Sequence, residues 1–234
     1  MCFVTECYLA SKNSRIENVY NLPVKLEKIV GERKEILGYE VLTNTRLLTT
    51  EQKEYFYKTE ILFPDTTRRI VQKIKNLQER LILFSGLFLF VNVERSHLCD
   101  KFLLCDIVSL QQKLKQYDVH LIIEITERNH CCDCISVRDG LQFLRSSNVI
   151  LAADDVNTSS CDPDFRISEI QSDIYSFIKV NFTDKIENIQ YLKSILNNKY
   201  YNIIVERIDS DEKMKALHEL GVDYWGLQGF LFKD

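Results

Sequence analysis

The sequence predicts an α/β fold in which parallel strands alternate with helices and close into a TIM-like (β/α)8 barrel. Short apolar runs alternate with longer segments whose apolar residues recur every three or four positions, which is typical of strand–helix units. The length of 234 residues suits one such barrel. With only three prolines and seven glycines, and no Ser- or Gly-rich linker, we expect a single domain over residues 1–234.

Eight apolar segments are the predicted strands. In chain order they are residues 19–26, 36–42, 87–93, 120–125, 149–154, 174–180, 202–206 and 223–230. A short loop around Gly31 joins the first two, which predicts an irregular antiparallel hairpin at the start of the barrel. Helical periodicity is clear in residues 102–118, and in residues 210–221 between Ser210 as N-cap and Gly221 as stop. Because the chain stops soon after the last predicted strand, we expect the usual last helix to be missing.

Composition argues against several classes of function. The formal net charge of -4 and the short basic clusters disfavour binding to a nucleic-acid polymer. No signal peptide is visible, and the longest apolar stretch, residues 81–93, is too short to cross a bilayer. We therefore expect a cytoplasmic protein that does not bind membranes.

The cysteines do not predict a disulfide scaffold, because the eight of them are irregularly spaced in a long chain. The segment HCCDC, residues 130–134, has zinc-ligand residue types, but no second ligand pair with matching spacing is evident. The alternative to a zinc site is a polar loop whose thiols have no special role.

Seven successive predicted strands end at a residue that can bind a metal or position a charge. These residues are Glu40, Asn92, Glu124, Asp154 with Asp155, Lys179, Glu206 and Gln228. Parallel strands of a barrel place their carboxyl ends on one face, where the active sites of such barrels lie. Carboxylates that converge there would repel one another, and oxygen-rich clusters of this kind suit hard cations such as Mg²⁺ or Mn²⁺.

The motifs around these strand ends resemble, in order, those of the EAL-domain cyclic di-GMP phosphodiesterases of bacterial signalling. GYEVL (residues 38–42) resembles the name-giving Glu-Ala-Leu motif, with Val41 in place of Ala. The other motifs follow in sequence order: LFVNVERSHL, IIEITE, AADDVNTSS, FIKVN, IIVERIDS and LQGFLF. The resemblance covers nearly the whole chain, and the ordered succession is more specific than any single motif.

The resemblance implies hydrolysis of cyclic di-GMP to linear pGpG by two metal ions, either Mg²⁺ or Mn²⁺. Ligands of the first ion would be Glu40, Asn92, Glu124 and Asp154, and ligands of the second would be Asp154, Asp155 and Asp209. Lys179 and Glu206 would orient or deprotonate the attacking water, with Glu40 also counted as catalytic. Leu42, Asn44 and Gln228 would contact substrate, and Glu127 would brace a neighbouring loop. A homodimer is also implied.

Several positions depart from the family pattern. Asn44 stands where the family usually has an arginine, and an amide cannot replace bidentate recognition of phosphate by a guanidinium. The loop after Asp155 has lost its glycines, and Asn181 and Asp209 replace an Asp and a Glu. Two alternatives therefore remain: a catalytically silent EAL-like protein that regulates by binding another protein, and a receptor that binds cyclic di-GMP without cleaving it. In a silent barrel, Lys179 would pair with Asp154 or Asp155.

Overall fold

The computed structural model describes residues 22–128, 134–196 and 201–232. Eight strands close into a barrel in chain order, which confirms the predicted TIM-like fold. They are β1 (Val24–Val30), β2 (Ile36–Thr43), β3 (Phe88–Val93), β4 (His120–Ile125), β5 (Ile150–Ala153), β6 (Phe177–Asn181), β7 (Asn202–Glu206) and β8 (Gly226–Gln228). Strand β1 runs antiparallel to both of its neighbours, β2 and β8, and the other neighbouring pairs are parallel.

Helices pack around the outside of the barrel. They are α1 (Thr50–Lys58), α2 (Pro64–Lys75), α3 (Lys101–Lys115), α4 (Ile135–Ser146), α5 (Ile167–Gln171), α6 (Ile186–Leu196) and α7 (Asp211–Glu219), with 3-10 turns at Glu60–Leu62, Gln78–Phe84, Arg95–Cys99 and Phe230–Phe232. Ser210 caps α7, as the sequence predicts, by accepting a hydrogen bond from the backbone of Lys213. None of the helices in the described part of the chain is long and apolar enough to cross a membrane.

The first hairpin forms as predicted, but its first strand lies later in the sequence than expected. Strand β1 runs from Val24 to Val30, whereas residues 19–26 were predicted, of which 19–21 lie outside the described residues. The reason is barrel closure: Ile29 pairs with Gln228 of β8, so the strand must extend past the apolar stretch. Strand β8 is shorter than the predicted residues 223–230, because its ladder to β7 covers only Gly226 and Leu227.

The apolar residues form an inner and an outer layer. The outer layer packs the strands against the helices. The inner layer fills the barrel with Ile29, Phe90, Ile122, Ala152, Phe177 and Ile204, and with Phe88, Ile150 and Trp225 packed against them. Three pairs of its aromatic rings meet edge to face, among them Phe177 and Trp225, whose centroids are 4.9 Å apart. Below the barrel mouth the interior is therefore packed, as expected for an eight-stranded barrel.

Candidate functional site

The polar residues at the strand ends face the barrel axis because side chains alternate along a strand. Asn92 lies two residues after Phe90, Glu124 two after Ile122, and Glu206 two after Ile204. Residues two apart in a strand share a face, so each polar side chain lies directly above a member of the inner apolar layer. The same spacing holds for Asp154, Lys179, Glu40 and Gln228 above Ala152, Phe177, Gly38 and Gly226. The structure thus brings seven predicted site residues to one mouth.

Gly38 provides the space for this arrangement beneath Glu40. A Cβ at this position would lie 2.3 Å from the backbone oxygen of Phe88 in the adjacent strand. Any larger residue would therefore push β2 away from β3 and displace the carboxylate two residues further along.

Lys179 lies at the centre of the cluster and contacts four carboxylates. Its Nζ atom is 2.7 Å from Glu124 Oε1, 2.9 Å from Glu206 Oε1, 3.3 Å from Glu40 Oε2 and 3.4 Å from Asp154 Oδ1. The Lys179 side chain is only 1% exposed, so its charge must be met by these groups and not by water. The predicted pair with Asp154 is present, but it is one of four.

The pKa values of the cluster differ because burial and charge act on each group differently. Burial alone would lower the pKa of Lys179, but Glu124, Glu40 and the other carboxylates hold it well above its usual value. Burial raises the pKa of Glu124 well above its usual value, and that of Asp154 is also raised by burial. Glu40 is different: burial acts against its charge, yet Lys179 and the side-chain amides of Gln228 and Asn92 keep its pKa below the usual value.

Glu206 has the pKa most relevant to proton transfer. Burial, partly offset by Lys179, raises it to about 7. A group with a pKa near neutrality is well placed to accept and return a proton at neutral pH. Lys179, in contrast, remains protonated there, so it can orient a water or stabilise negative charge but cannot act as a base.

Unsatisfied oxygen atoms in the cluster fit a divalent cation. Among the described residues, no hydrogen bond reaches Asn92 Oδ1, Gln228 Oε1 or Glu124 Oε2, although all three atoms are buried; the other carboxylate oxygen of Glu124 meets only Lys179, at 2.7 Å. Asn92 and Gln228 both donate their amide nitrogens to Glu40, at 2.5 and 2.6 Å, which leaves their oxygens as acceptors. Buried acceptors without donors are costly unless a ligand satisfies them, and carboxylate and amide oxygens are the donors that Mg²⁺ and Mn²⁺ prefer.

A second group of carboxylates lies beside the first. Oxygen atoms of Glu127, Asp154 and Asp155 all lie within 4.8 Å of one another. Asp155 adopts a left-handed backbone conformation, with φ of 46°, and accepts a hydrogen bond from Asn181 at 2.7 Å. Aspartate adopts this conformation more readily than most residues other than glycine. Glu127, predicted to brace a loop, therefore lies together with Asp154 and Asp155 in a group that could hold a cation.

Two predicted site residues, Asp209 and Asn44, do not join either group of carboxylates. Asp209 follows β7, is 52% exposed and forms an ion pair with Lys213 at 2.9 Å; it is not a member of the Glu127–Asp154–Asp155 group. Asn44 accepts a hydrogen bond from the backbone of Arg46 at 3.1 Å, so its side-chain oxygen is already engaged. Leu42 lies with the central cluster at the mouth, where it lines a cavity of about 240 Å³.

That cavity includes residues that the sequence analysis did not single out. Lys25, Glu94 and Arg128 line it together with Glu40, Asp154, Asp155, Lys179 and Glu206. Glu94 and Arg128 occur within the quoted motifs or directly after them, two residues after Asn92 and one after Glu127. Their closeness in the sequence to Asn92 and Glu127 is the feature from which their place at the site could have been predicted.

Arg166 is a fourth residue that the sequence analysis missed. Its guanidinium is fully buried and donates to the backbone oxygens of Ile125, at 2.7 Å, and Asp154, at 2.6 Å. Asp164 accepts from the same guanidinium at 2.8 and 3.0 Å, which neutralises it. Arg166 thus joins the ends of β4 and β5 and fixes the backbone that presents Asp154. The segment 130–133, which includes most of the HCCDC sequence, lies outside the described residues.

Comparisons with known proteins show which solved structures share this fold. No protein-family model matches the sequence, and no curated protein does. Solved structures of EAL proteins match over almost the whole chain. The EAL enzyme Bd1971, bound to cAMP and cyclic di-GMP, is 19% identical with a TM-score of 0.66, over 98% of this chain and 64% of that one. This chain therefore spans about two thirds of the length of Bd1971.

Two further solved structures are similar to this chain to the same degree. The PaMucR phosphodiesterase in complex with c-di-GMP is 19% identical with a TM-score of 0.66, over 91% of this chain and 96% of that one. The YkuI protein of Bacillus subtilis, with an EAL domain in complex with c-di-GMP and calcium, is 15% identical with a TM-score of 0.68, over 97% and 57% of the two chains. The chain has an EAL-like fold, as the motifs predicted.

Proposed function

We propose that this protein is a metal-dependent phosphodiesterase that hydrolyses cyclic di-GMP to linear pGpG and so lowers the level of this bacterial second messenger. The observation that supports this most directly is the cluster at the mouth: four carboxylates around Lys179, next to buried oxygens that lack donors. Structures with the same fold contain cyclic di-GMP, and one of them also contains calcium. A cytoplasmic location and a possible homodimer belong to the same proposal.

Two groups of residues would hold the ions. Glu40, Asn92, Glu124 and Asp154 would bind the first ion, since they combine the central carboxylates with an amide oxygen that has no donor. Asp154 and Asp155 would bind the second, and the geometry favours Glu127 over Asp209 as their companion. When bound, such a pair of cations lowers the pKa of a water and stabilises charge on the phosphate and the leaving oxygen.

The side chains of this protein would then supply orientation and proton transfer. Glu206, with a pKa raised to about 7 by burial, would take the proton from the attacking water. Lys179 would keep its proton, hold Glu206 in place at 2.9 Å and offset the negative charge that gathers in the transition state. Gln228 would hold Glu40 through its amide at 2.6 Å.

A second candidate is a catalytically silent regulatory protein that acts by binding another protein. The engaged side chain of Asn44 favours it, because no guanidinium is available at that position to contact phosphate. The assay below distinguishes the two candidates.

The test is to incubate purified protein with cyclic di-GMP and either Mg²⁺ or Mn²⁺ and to quantify pGpG by chromatography. We expect turnover that Glu40→Ala abolishes. Glu127→Gln should reduce activity strongly and Asp209→Asn only weakly, which tests the assignment of the second ion. Folded protein without turnover in either metal would refute the enzyme and leave the regulatory candidate.

A further inference from the structure

The charge of the cavity raises the question of how it receives an anionic substrate. Among the described residues, the cationic side chains that line it are Lys25, Arg128 and Lys179. Lys179 lies within 3.4 Å of four carboxylates, so its charge is more than balanced. A phosphate group in the cavity must therefore be met by metal ions or by one of the other two cations.

Lys25 is the weaker of these two candidates. Its ammonium is held by Glu27 at 2.6 Å, a neighbour two residues away on the same strand. A lysine is a point charge on a flexible stem, and this one is already neutralised by a partly exposed partner.

Arg128 is held in a way that leaves a guanidinium edge available. Its Nη2 donates to Glu94 Oε1 at 2.9 Å, and the side chain is 39% exposed while that of Glu94 is 2% exposed. Thr126 donates to the other oxygen of Glu94 at 2.7 Å, so the buried carboxylate has a fixed position. Arg128 Nε is buried and has no hydrogen-bond partner among the described residues, so a ligand in the cavity would meet the terminal amino groups, Nη1 and Nη2, instead. A guanidinium carries five donors, and one of them is used by Glu94.

A buried carboxylate is costly, so its presence beside the cavity requires a reason. Burial raises the pKa of Glu94, and Arg128 and Thr126 act against that rise. Thr126 and Arg128 lie on either side of Glu127 in the sequence. Asp154 is close enough to raise the pKa values of both Glu94 and Arg128. The ion pair between Glu94 and Arg128 thus positions the guanidinium of Arg128 next to the Glu127–Asp154–Asp155 group.

We propose that Arg128, positioned by Glu94, binds a phosphate oxygen of a cyclic dinucleotide in the cavity. This inference rests on the proposed function and adds a specific residue to it. Planar guanidinium groups bind phosphate well, in one or two parallel hydrogen bonds. Arg128 supplies from the strand β4 side the cation that Asn44 lacks on the β2 side.

The test is calorimetric binding of cyclic di-GMP in the presence of Ca²⁺, with chromatography afterwards to verify that the ligand is intact. We expect Arg128→Met to weaken binding about 10-fold or more, as for loss of a charge-assisted hydrogen bond. Arg128→Lys should recover part of the loss, and Glu94→Gln should weaken binding to a smaller extent. Arg138→Met, at an exposed arginine of α4, is the matched control and should bind like the wild type.

A double variant separates binding from folding. Arg128→Met leaves Glu94 buried without its cation, so this variant should also unfold more easily. Adding Glu94→Gln removes that charge and should restore the thermal midpoint without restoring binding. Affinity for cyclic di-GMP that stays within about twofold of wild type in Arg128→Met, or that returns in the double variant, would overturn the role of Arg128 while the proposed function stands. A wild type that neither binds nor cleaves the ligand would overturn both.

Discussion

Replacing Glu206 with glutamine should stabilise the metal-free protein above neutral pH and have little effect near pH 5. The ordinary pKa of a glutamate is 4.5, whereas burial raises that of Glu206 to about 7 in the folded protein. The folded state therefore holds the proton more tightly than the unfolded chain does. This contribution to stability is fully present below pH 4.5 and is lost as the pH rises through 7.

The size of the effect follows from the two pKa values. Their difference corresponds to about 3 kcal/mol at roughly 1.36 kcal/mol per pH unit. About 2–3 kcal/mol of this falls between pH 5 and pH 8, because the group is already partly ionised in the unfolded chain at pH 5. Glutamine cannot ionise, and it keeps an oxygen that can accept a hydrogen bond from Lys179, 2.9 Å away.

The measurement is urea denaturation followed by circular dichroism at pH 5, 6, 7 and 8, with a chelator present throughout. The free energy of unfolding of Glu206→Gln minus that of the wild type should increase by about 2–3 kcal/mol from pH 5 to pH 8. Glu187→Gln, at an exposed glutamate of α6, serves as the matched control and should show no such trend. A difference that does not change with pH would mean that Glu206 is not protonated near neutrality, and the proposed base would lose its physical basis.

Three other outcomes are expected. Mn²⁺ at about 100 times its dissociation constant should raise the free energy of unfolding by about 2.7 kcal/mol, and Asp154→Asn should remove this effect in a thermal-shift titration. Lys179→Met should destabilise the metal-free protein by about 3–5 kcal/mol at pH 8 and by clearly less at pH 5, where its carboxylate partners gain protons; an equal loss at both pH values would contradict the charge account. Arg166→Met should cost about 3–5 kcal/mol in urea denaturation, because it leaves Asp164 buried without its cation, and should weaken Mn²⁺ binding by releasing the backbone of Asp154. A variant as stable as the wild type would show that Arg166 does not join the two strands.

The barrel and the position of the site could be predicted because both depend on local patterns. Apolar runs mark the strands, and a polar residue two positions after a buried one, as in Phe90 and Asn92, marks the face of the strand that meets the axis. Parallel order then brings such residues together without any knowledge of the loops. The EAL-like fold is confirmed, whereas the roles assigned to individual site residues stay predictions.

Features that depend on the loops could not be predicted in this way. Arg166 donates to the backbone oxygen of Ile125, 41 residues earlier, and the spacing of apolar residues in the sequence does not predict such a contact. The choice between Glu127 and Asp209 depends on the left-handed conformation of Asp155 and on the pairing of Asp209 with Lys213. The bounds of β1 were wrong because the hydrogen bonds that close the barrel, and not local hydrophobicity, determine where that strand ends.

The packed aromatic interior would have a consequence for the proposed reaction. Phe88, Phe90, Phe177 and Trp225 fill the barrel beneath the charged cluster at the mouth, so a ligand cannot pass through the barrel. Whatever enters the mouth must leave by the same opening, and a cleaved dinucleotide would have to depart before the next one arrives. Product that lingers there would compete directly with fresh substrate, and the speed of its escape would then limit the whole cycle.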